Sequence, residues 1–155
     1  MMATITHINA SPGGVPKLPQ PSARITRAGL DGDSQRDLVH HGGPDRALCL
    51  YSLELIEALQ REGHTIFPGA AGENITVRGL DWAALHSGQR LRLGAEVLIE
   101  LTDTANPCRH LTDFFVQGAV KRIAAWVHPG WSRFYARVLQ EGTLQVADPV
   151  TLLPG

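Results

Sequence analysis

Cysteine, lysine and long apolar runs are all scarce in this chain of 155 residues. Two cysteines, Cys49 and Cys108, are too few for a disulfide scaffold, so a reducing, cytoplasmic setting is the expectation. No stretch of about 18 apolar residues occurs, and the start, Met-Met-Ala-Thr-Ile-Thr-His, has no basic segment leading into an apolar one. Neither membrane insertion nor secretion is therefore indicated. A basic excess is missing too: 14 Lys+Arg face 15 Asp+Glu, which argues against a general nucleic-acid binder. Phosphate-loop and dinucleotide glycine fingerprints are absent, as are Cys-x-x-Cys and His-x-x-x-His spacings, so ordinary nucleotide binding and structural zinc gain no support. What is present is an apolar fraction of 43%, enough to build a core, in a length that fits a single domain over residues 1–155.

The apolar residues recur mostly with the period of strands. Ala3 to Ala10, Ala23 to Arg27, Ala47 to Tyr51, Asn74 to Arg78, Gln89 to Leu93, Val97 to Leu101, Phe134 to Leu139, Thr143 to Val146 and Val150 to Leu153 are short pieces set apart by Gly, Pro and Asp. Ala47 to Tyr51 is almost wholly apolar, the mark of a strand buried on both faces. The class this predicts is mainly β, a β-barrel or sandwich, with a few short α-helices. One helix is expected from a Ser52 cap to about Glu62, with Glu54 in its first turn and Gly63 at its stop. A second is expected from about Leu111 to Val127, where Val116, Ala119, Val120, Ile123 and Val127 have helical spacing and Gly118 is a point of division. The proline-rich stretch Ser11 to Pro21 reads as an extended connection.

Chemistry-bearing residues gather in four places. Asp31 to Arg46 holds eight ionisable residues in sixteen, and its His40-His41-Gly42-Gly43-Pro44-Asp45-Arg46 runs straight into the apolar strand. Such a loop is either a solvated surface or an anion site, in which glycines expose backbone amides and His and Arg supply donors. Gly69-Ala70-Ala71-Gly72-Glu73-Asn74 is a second glycine-rich turn, a tight connection unless Glu73 or Asn74 points inward. Cys108 falls between the end of a strand and the start of the expected second helix. It is either a small buried apolar residue or a thiolate stabilised by the helix start and by Arg109. A single soft thiolate also suits a metal whose other ligands come from a cofactor, such as molybdenum held by a pterin dithiolene. His128-Pro129-Gly130-Trp131-Ser132-Arg133 is the fourth, with Arg133 and Arg137 on one face as a cationic rim or as solvated charge.

In this order, G-L-D-G-D (29–33), H-H-G-G-P-D-R-A (40–47), G-E-N-I-T (72–76), P-C-R (107–109) and P-G-W-S-R (129–133) resemble the blocks of the MOSC family, domains similar to the C-terminal domain of molybdenum cofactor sulfurase. The resemblance, to a stand-alone bacterial member, runs from about Ile5 to Leu153. It implies a barrel-like fold, binding of the molybdenum cofactor (molybdopterin) and a central cysteine, matched here by Cys108. At family level an association with pyridoxal phosphate binding also exists. Some members reduce N-hydroxylated compounds, others are linked to sulfur transfer through a persulfide, and a non-catalytic cofactor carrier is a third possibility. Carried over by position, Cys108 would be the catalytic residue and the metal ligand. Arg36, His40, His41, Gly43, Asp45, Arg46, Glu73, Asn74, Arg109 and Arg133 would bind the cofactor. A departure lies just before the cysteine, where Ala105-Asn106-Pro107 stands in place of the Pro-Arg pair of related members. With no cysteine set for an iron–sulfur cluster, electrons for a small-molecule substrate would come from a separate donor protein.

Overall fold

The computed structural model describes residues 2–34 and 43–155. Eleven strands follow in chain order: β1 (Thr4–Ala10), β2 (Leu18–Gln20), β3 (Ser22–Thr26), β4 (Gly29–Leu30), β5 (Leu48–Ser52), β6 (Ile75–Arg78), β7 (Arg90–Leu93), β8 (Val97–Ala105), β9 (Arg133–Gln140), β10 (Gly142–Gln145) and β11 (Val150–Leu152). All nine pieces with strand periodicity are strands, and two more come from segments with none. β2 arises inside the proline-rich connection, pairing antiparallel with β1 at the end of the sheet. There Pro19 lacks an amide hydrogen, but an end strand has no neighbour on one side to miss it.

The larger sheet runs β11-β7-β8-β9-β5-β6-β1-β2. Its two ends meet: the Ile5 amide donates to the Asp148 carbonyl at 2.9 Å, the Ala147 amide to Ile5 at 2.8 Å and the Val150 amide to Ala3 at 2.9 Å. These bonds join β1 to the chain entering β11 and close the sheet into a barrel, with β2 lying outside the closure as an edge strand. β10, β3 and β4 form a second, three-stranded sheet. Alternate residues point inward, so Ile5, Leu48, Leu50, Ile75, Leu91, Ile99, Phe134 and Ala136 fill one continuous core. A fully buried Leu or Ile contributes about 2 kcal/mol through the water it no longer contacts.

Between the parallel strands β5 and β6 lies the α-helix α1 (Leu53–Arg61). Ser52 Oγ accepts the Leu55 amide at 3.2 Å, the cap its position predicts, and Ile56 and Leu59 turn into the core. The helix expected over 111–127 is not an α-helix. The chain forms three 3-10 turns instead, Arg109–Phe114, Val116–Gly118 and Val120–Ile123. Gln117 and Gly118 take φ values of 55° and 66°, outside the helical region, and no i to i−4 ladder can cross them. The apolar residues there still do the burying that produced the spacing, with Leu111, Phe115 and Ile123 packed on the barrel.

Candidate functional site

Cross-strand partners point to one side of a sheet, and this sorts the residues of β5, β8 and β9 into two faces. Leu48, Leu50, Phe134 and Ala136 face the barrel interior. Cys49 pairs with Tyr135, and Ala105 with Arg133, on the other face, where Cys49, Ala105 and Tyr135 make a separate buried cluster. β8 ends at Ala105, and Asn106 and Pro107 carry the chain to Cys108 at the mouth of the first 3-10 turn. Neither cysteine is disulfide-bonded; Cys49 is buried and Cys108 half-buried. Burial pushes the Cys49 thiol up to about 11 and raises the Tyr135 hydroxyl well above the usual phenol range. The Arg46 guanidinium lies 5.1 Å from the Tyr135 ring centre, a cation–π contact that carries positive charge to this face.

Beside the cluster is a buried polar network. Asn74, with no exposed surface, accepts the Cys49 amide at 3.0 Å and donates to Asp33 Oδ2 at 2.9 Å. Asp33 also takes the Lys17 ammonium at 2.6 Å and the Ser11 amide at 2.9 Å, a buried ion pair completed by hydrogen bonds. Asn9 donates to the Glu73 carbonyl and to Thr76 Oγ1, which donates to Glu73 Oε2 at 3.1 Å. Burial raises the Glu73 pKa, against the pull of nearby amides, Thr76 and the Arg133 charge. Gly69 makes this packing possible: at φ 91° a Cβ there would lie 2.2 Å from the Lys17 carbonyl oxygen.

The structure distributes the sequence candidates unevenly. Arg36, His40 and His41 lie outside the described residues. Glu73 and Asn74 point inward, the condition a binding role sets, though their hydrogen bonds are to the protein itself. Gly43, at φ 94°, opens the 3-10 turn Pro44–Arg46. Asp45 turns away to the outer rim, pairing with Arg137 at 3.1 Å with its side chain 70% exposed, while its carbonyl accepts the Thr102 hydroxyl. Arg109 is exposed next to Cys108. Arg133, expected as cationic rim, is instead 4% exposed, with its guanidinium on the carbonyls of Ala71, Ala105 and Asn106. Its strand-mate Arg137 stays at the surface between Asp45 and Glu100. Lys17, Asn9 and Asp33 are network members absent from the candidate set. The one signal for Lys17 was its rarity, as one of two lysines beside twelve arginines.

With this geometry in place, comparison with known proteins is decisive for the family. The family model described as the MOSC domain matches residues 37–151. The chain belongs to the MOSC domain family. Among MOSC relatives, the uncharacterized protein YflK of Bacillus subtilis is 35% identical over 145 residues, covering 90% of this chain and 63% of its own. Protein YiiM of Escherichia coli is 37% identical over 95 residues, 59% of this chain and 42% of its own. The chain thus spans less than two thirds of the curated relatives it matches first. A protein from Gibberella moniliformis named a reductase is 29% identical over 118 residues, 73% of this chain and 20% of that one. In fold, this MOSC domain superposes on the crystal structure of a hypothetical protein with a TM-score of 0.79 and 25% identity, covering 100% of this chain and 70% of that one. It superposes on YiiM from Geobacillus stearothermophilus with a TM-score of 0.71 and 24% identity, covering 98% and 75%. Among the described residues no helix is long and apolar enough to cross a membrane.

The donor set decides which kind of metal the site could hold. Among the described residues no group of three or more His, Cys, Asp or Glu side chains is arranged around a common point. A zinc or iron held by the protein alone needs three or four such ligands, and the described residues by themselves do not supply them. A half-buried thiol with Arg46 and Arg109 in the adjoining segments fits a metal that arrives with its own ligands on an anionic cofactor.

Proposed function

We propose that this MOSC domain protein binds the molybdenum cofactor with Cys108 as the metal's protein ligand, and reduces N-hydroxylated small molecules with electrons from a separate donor protein. The observation that carries the reading is the placement of Cys108. It is half-buried in the turn that follows β8, packed against the barrel core on one side, and both it and Arg46 act on the Tyr135 hydroxyl. The family's association with this cofactor and the reductase name of one relative support it.

When bound, the cofactor supplies the redox chemistry at the metal, and the chain's part is to hold and orient it. Cys108 would hold the metal as the thiolate. Arg46 and Arg109, with Arg36, His40 and His41 of the preceding loop, offer donors to the pterin phosphate. Gly43, at φ 94°, has nothing among the described residues within 4 Å of where a Cβ would stand, which leaves room for a ligand beside it. Glu73 and Asn74 act from behind, Asn74 through its bonds with the Asp33 carboxylate and the Cys49 amide and Glu73 through the Thr76 hydroxyl.

The test is metal analysis of protein made in cells that synthesise the cofactor. The wild type should carry molybdenum, and Cys108→Ser should lose most of it. A wild type without molybdenum, or a serine variant with an undiminished load, overturns the ligand assignment.

A further inference from the structure

We propose that Arg133 is a positioning residue for the reactive thiol, a buried guanidinium that locks the Cys108 turn to the glycine-rich Gly69–Gly72 turn. Its functional meaning rests on Cys108 being the working cysteine, as proposed above; the geometry does not.

Arg133 is the first residue of β9, in register with Ala105, the last of β8. One nitrogen, Nη1, donates to the Ala71 carbonyl at 2.6 Å. The other, Nη2, donates to Asn106 at 3.1 Å and to Ala105 at 3.3 Å. Among the described residues no carboxylate lies within ion-pair distance, and Glu73 acts on it only from further away. A buried charge with no ion pair is expensive, and three carbonyls at fixed angles are what hold it here. A planar fork can bridge two turns in this way and a point charge cannot.

The consequence for Cys108 follows from covalent geometry. The Asn106 carbonyl belongs to the peptide plane that includes Pro107 N and Cα. The proline ring fixes φ of Pro107, so a single soft dihedral, its ψ, separates the clamped plane from the Cys108 Cα. On the far side the Cys108 carbonyl accepts the Leu111 amide at 3.1 Å. The Cys108 backbone is thus held from both directions, and the residues just ahead of the G-E-N-I-T and P-C-R blocks, Ala71 and Asn106, about 35 residues apart in the chain, are joined through one side chain.

The experiment uses the full chain without cofactor and follows iodoacetamide alkylation of each cysteine by mass spectrometry, under native conditions, in the wild type, Arg133→Lys and Arg133→Met. Cys49 is the internal reference, since it is sealed in mid-strand against Tyr135 and Ala105 and reacts only if that cover opens. Expected is alkylation of Cys108 about tenfold faster in the Met variant with Cys49 still protected, and an intermediate rate in the Lys variant, which keeps the charge and loses the fork. Cys108 rates within twofold of wild type in both folded variants overturn the proposal. If the Met variant exposes both cysteines, the Lys variant decides. Faster Cys108 with a protected Cys49 supports the clamp, while an unchanged Cys108, or exposure of both cysteines, shows Arg133 to be no more than general core support. Because no metal enters the measurement, its failure is separate from a failure of the molybdenum reading.

Discussion

Cys49 and Cys108 both lie near enough to Tyr135 to act on its hydroxyl and could hardly be held more differently. Cys49 sits in mid-strand on β5, 3% exposed, its amide bonded to Asn74 and its side chain packed on Tyr135 and Ala105. Cys108 is three residues past Ala105, after the ladder between β8 and β9 has ended. A strand satisfies its backbone by pairing and seals its side chains between neighbours. A turn satisfies its backbone with side chains, here Arg133, and leaves its own side chains open on one side. The strand cysteine is packing, and the role proposed for Cys108 depends on its place in the turn.

The largest effect expected of this difference is in chemical labelling. At pH 8 a thiol whose pKa is pushed up to about 11 has roughly one thiolate in a thousand, and Cys49 is sealed besides. Native alkylation should modify Cys108 and leave Cys49 unmodified by a margin of upwards of about a hundredfold, read by peptide mass spectrometry. Comparable rates at the two positions would break the contrast outright.

A smaller but still large effect is expected from removing what holds the strand cysteine. Asn74→Ala leaves the buried Cys49 amide without its acceptor and takes a donor from the buried Asp33 carboxylate. Two buried groups losing partners should destabilise the fold by about 2–4 kcal/mol, measured by urea unfolding. Cys49 labelling should rise with it, narrowing the gap between the cysteines from the protected side. A cost below about 1 kcal/mol would mean that the network does not depend on Asn74.

How far these two environments could be read from the chain differs in the same way. The strand that holds Cys49 was legible, because Ala47-Leu48-Cys49-Leu50-Tyr51 can only be covered on both faces, and the Ser52 cap that follows is a local signal. β2 was not, since Pro19 looks like a strand breaker until β1 is there to pair with it. The stretch from Arg109 to Ile123 shows period without helix: packing on the barrel spaces its apolar residues, while Gln117 and Gly118 prevent the helix that the spacing implies. Of the site, the inward Glu73 and Asn74 could be posed as a question and Cys108 as a position. The fate of the arginines could not. Arg133 and Arg137 are four apart on one strand, yet one is buried against carbonyls and the other exposed to carboxylates. What separates them is the turns that fold over the start of β9, and no local pattern in the sequence encodes that cover.

The smallest effect expected concerns the acid next to the strand cysteine. Glu73 is fully buried, and its pKa is raised mainly by that burial, so the folded state holds its proton more firmly than the unfolded chain does. The sign follows: Glu73 contributes stability that is complete below its ordinary value near 4.5 and is lost as pH climbs through the raised folded value, because the buried carboxyl must then ionise. Glu73→Gln keeps an oxygen for the Thr76 hydroxyl and cannot ionise. Its unfolding free energy should match the wild type near pH 4 and exceed it by on the order of 1 kcal/mol at pH 8, with the two curves separating between. The difference between the curves isolates Glu73 from every other titrating group, since those are common to both proteins. Parallel curves across that range would place an ionised carboxylate behind Cys49, and the wall behind the strand cysteine would then carry charge rather than a proton.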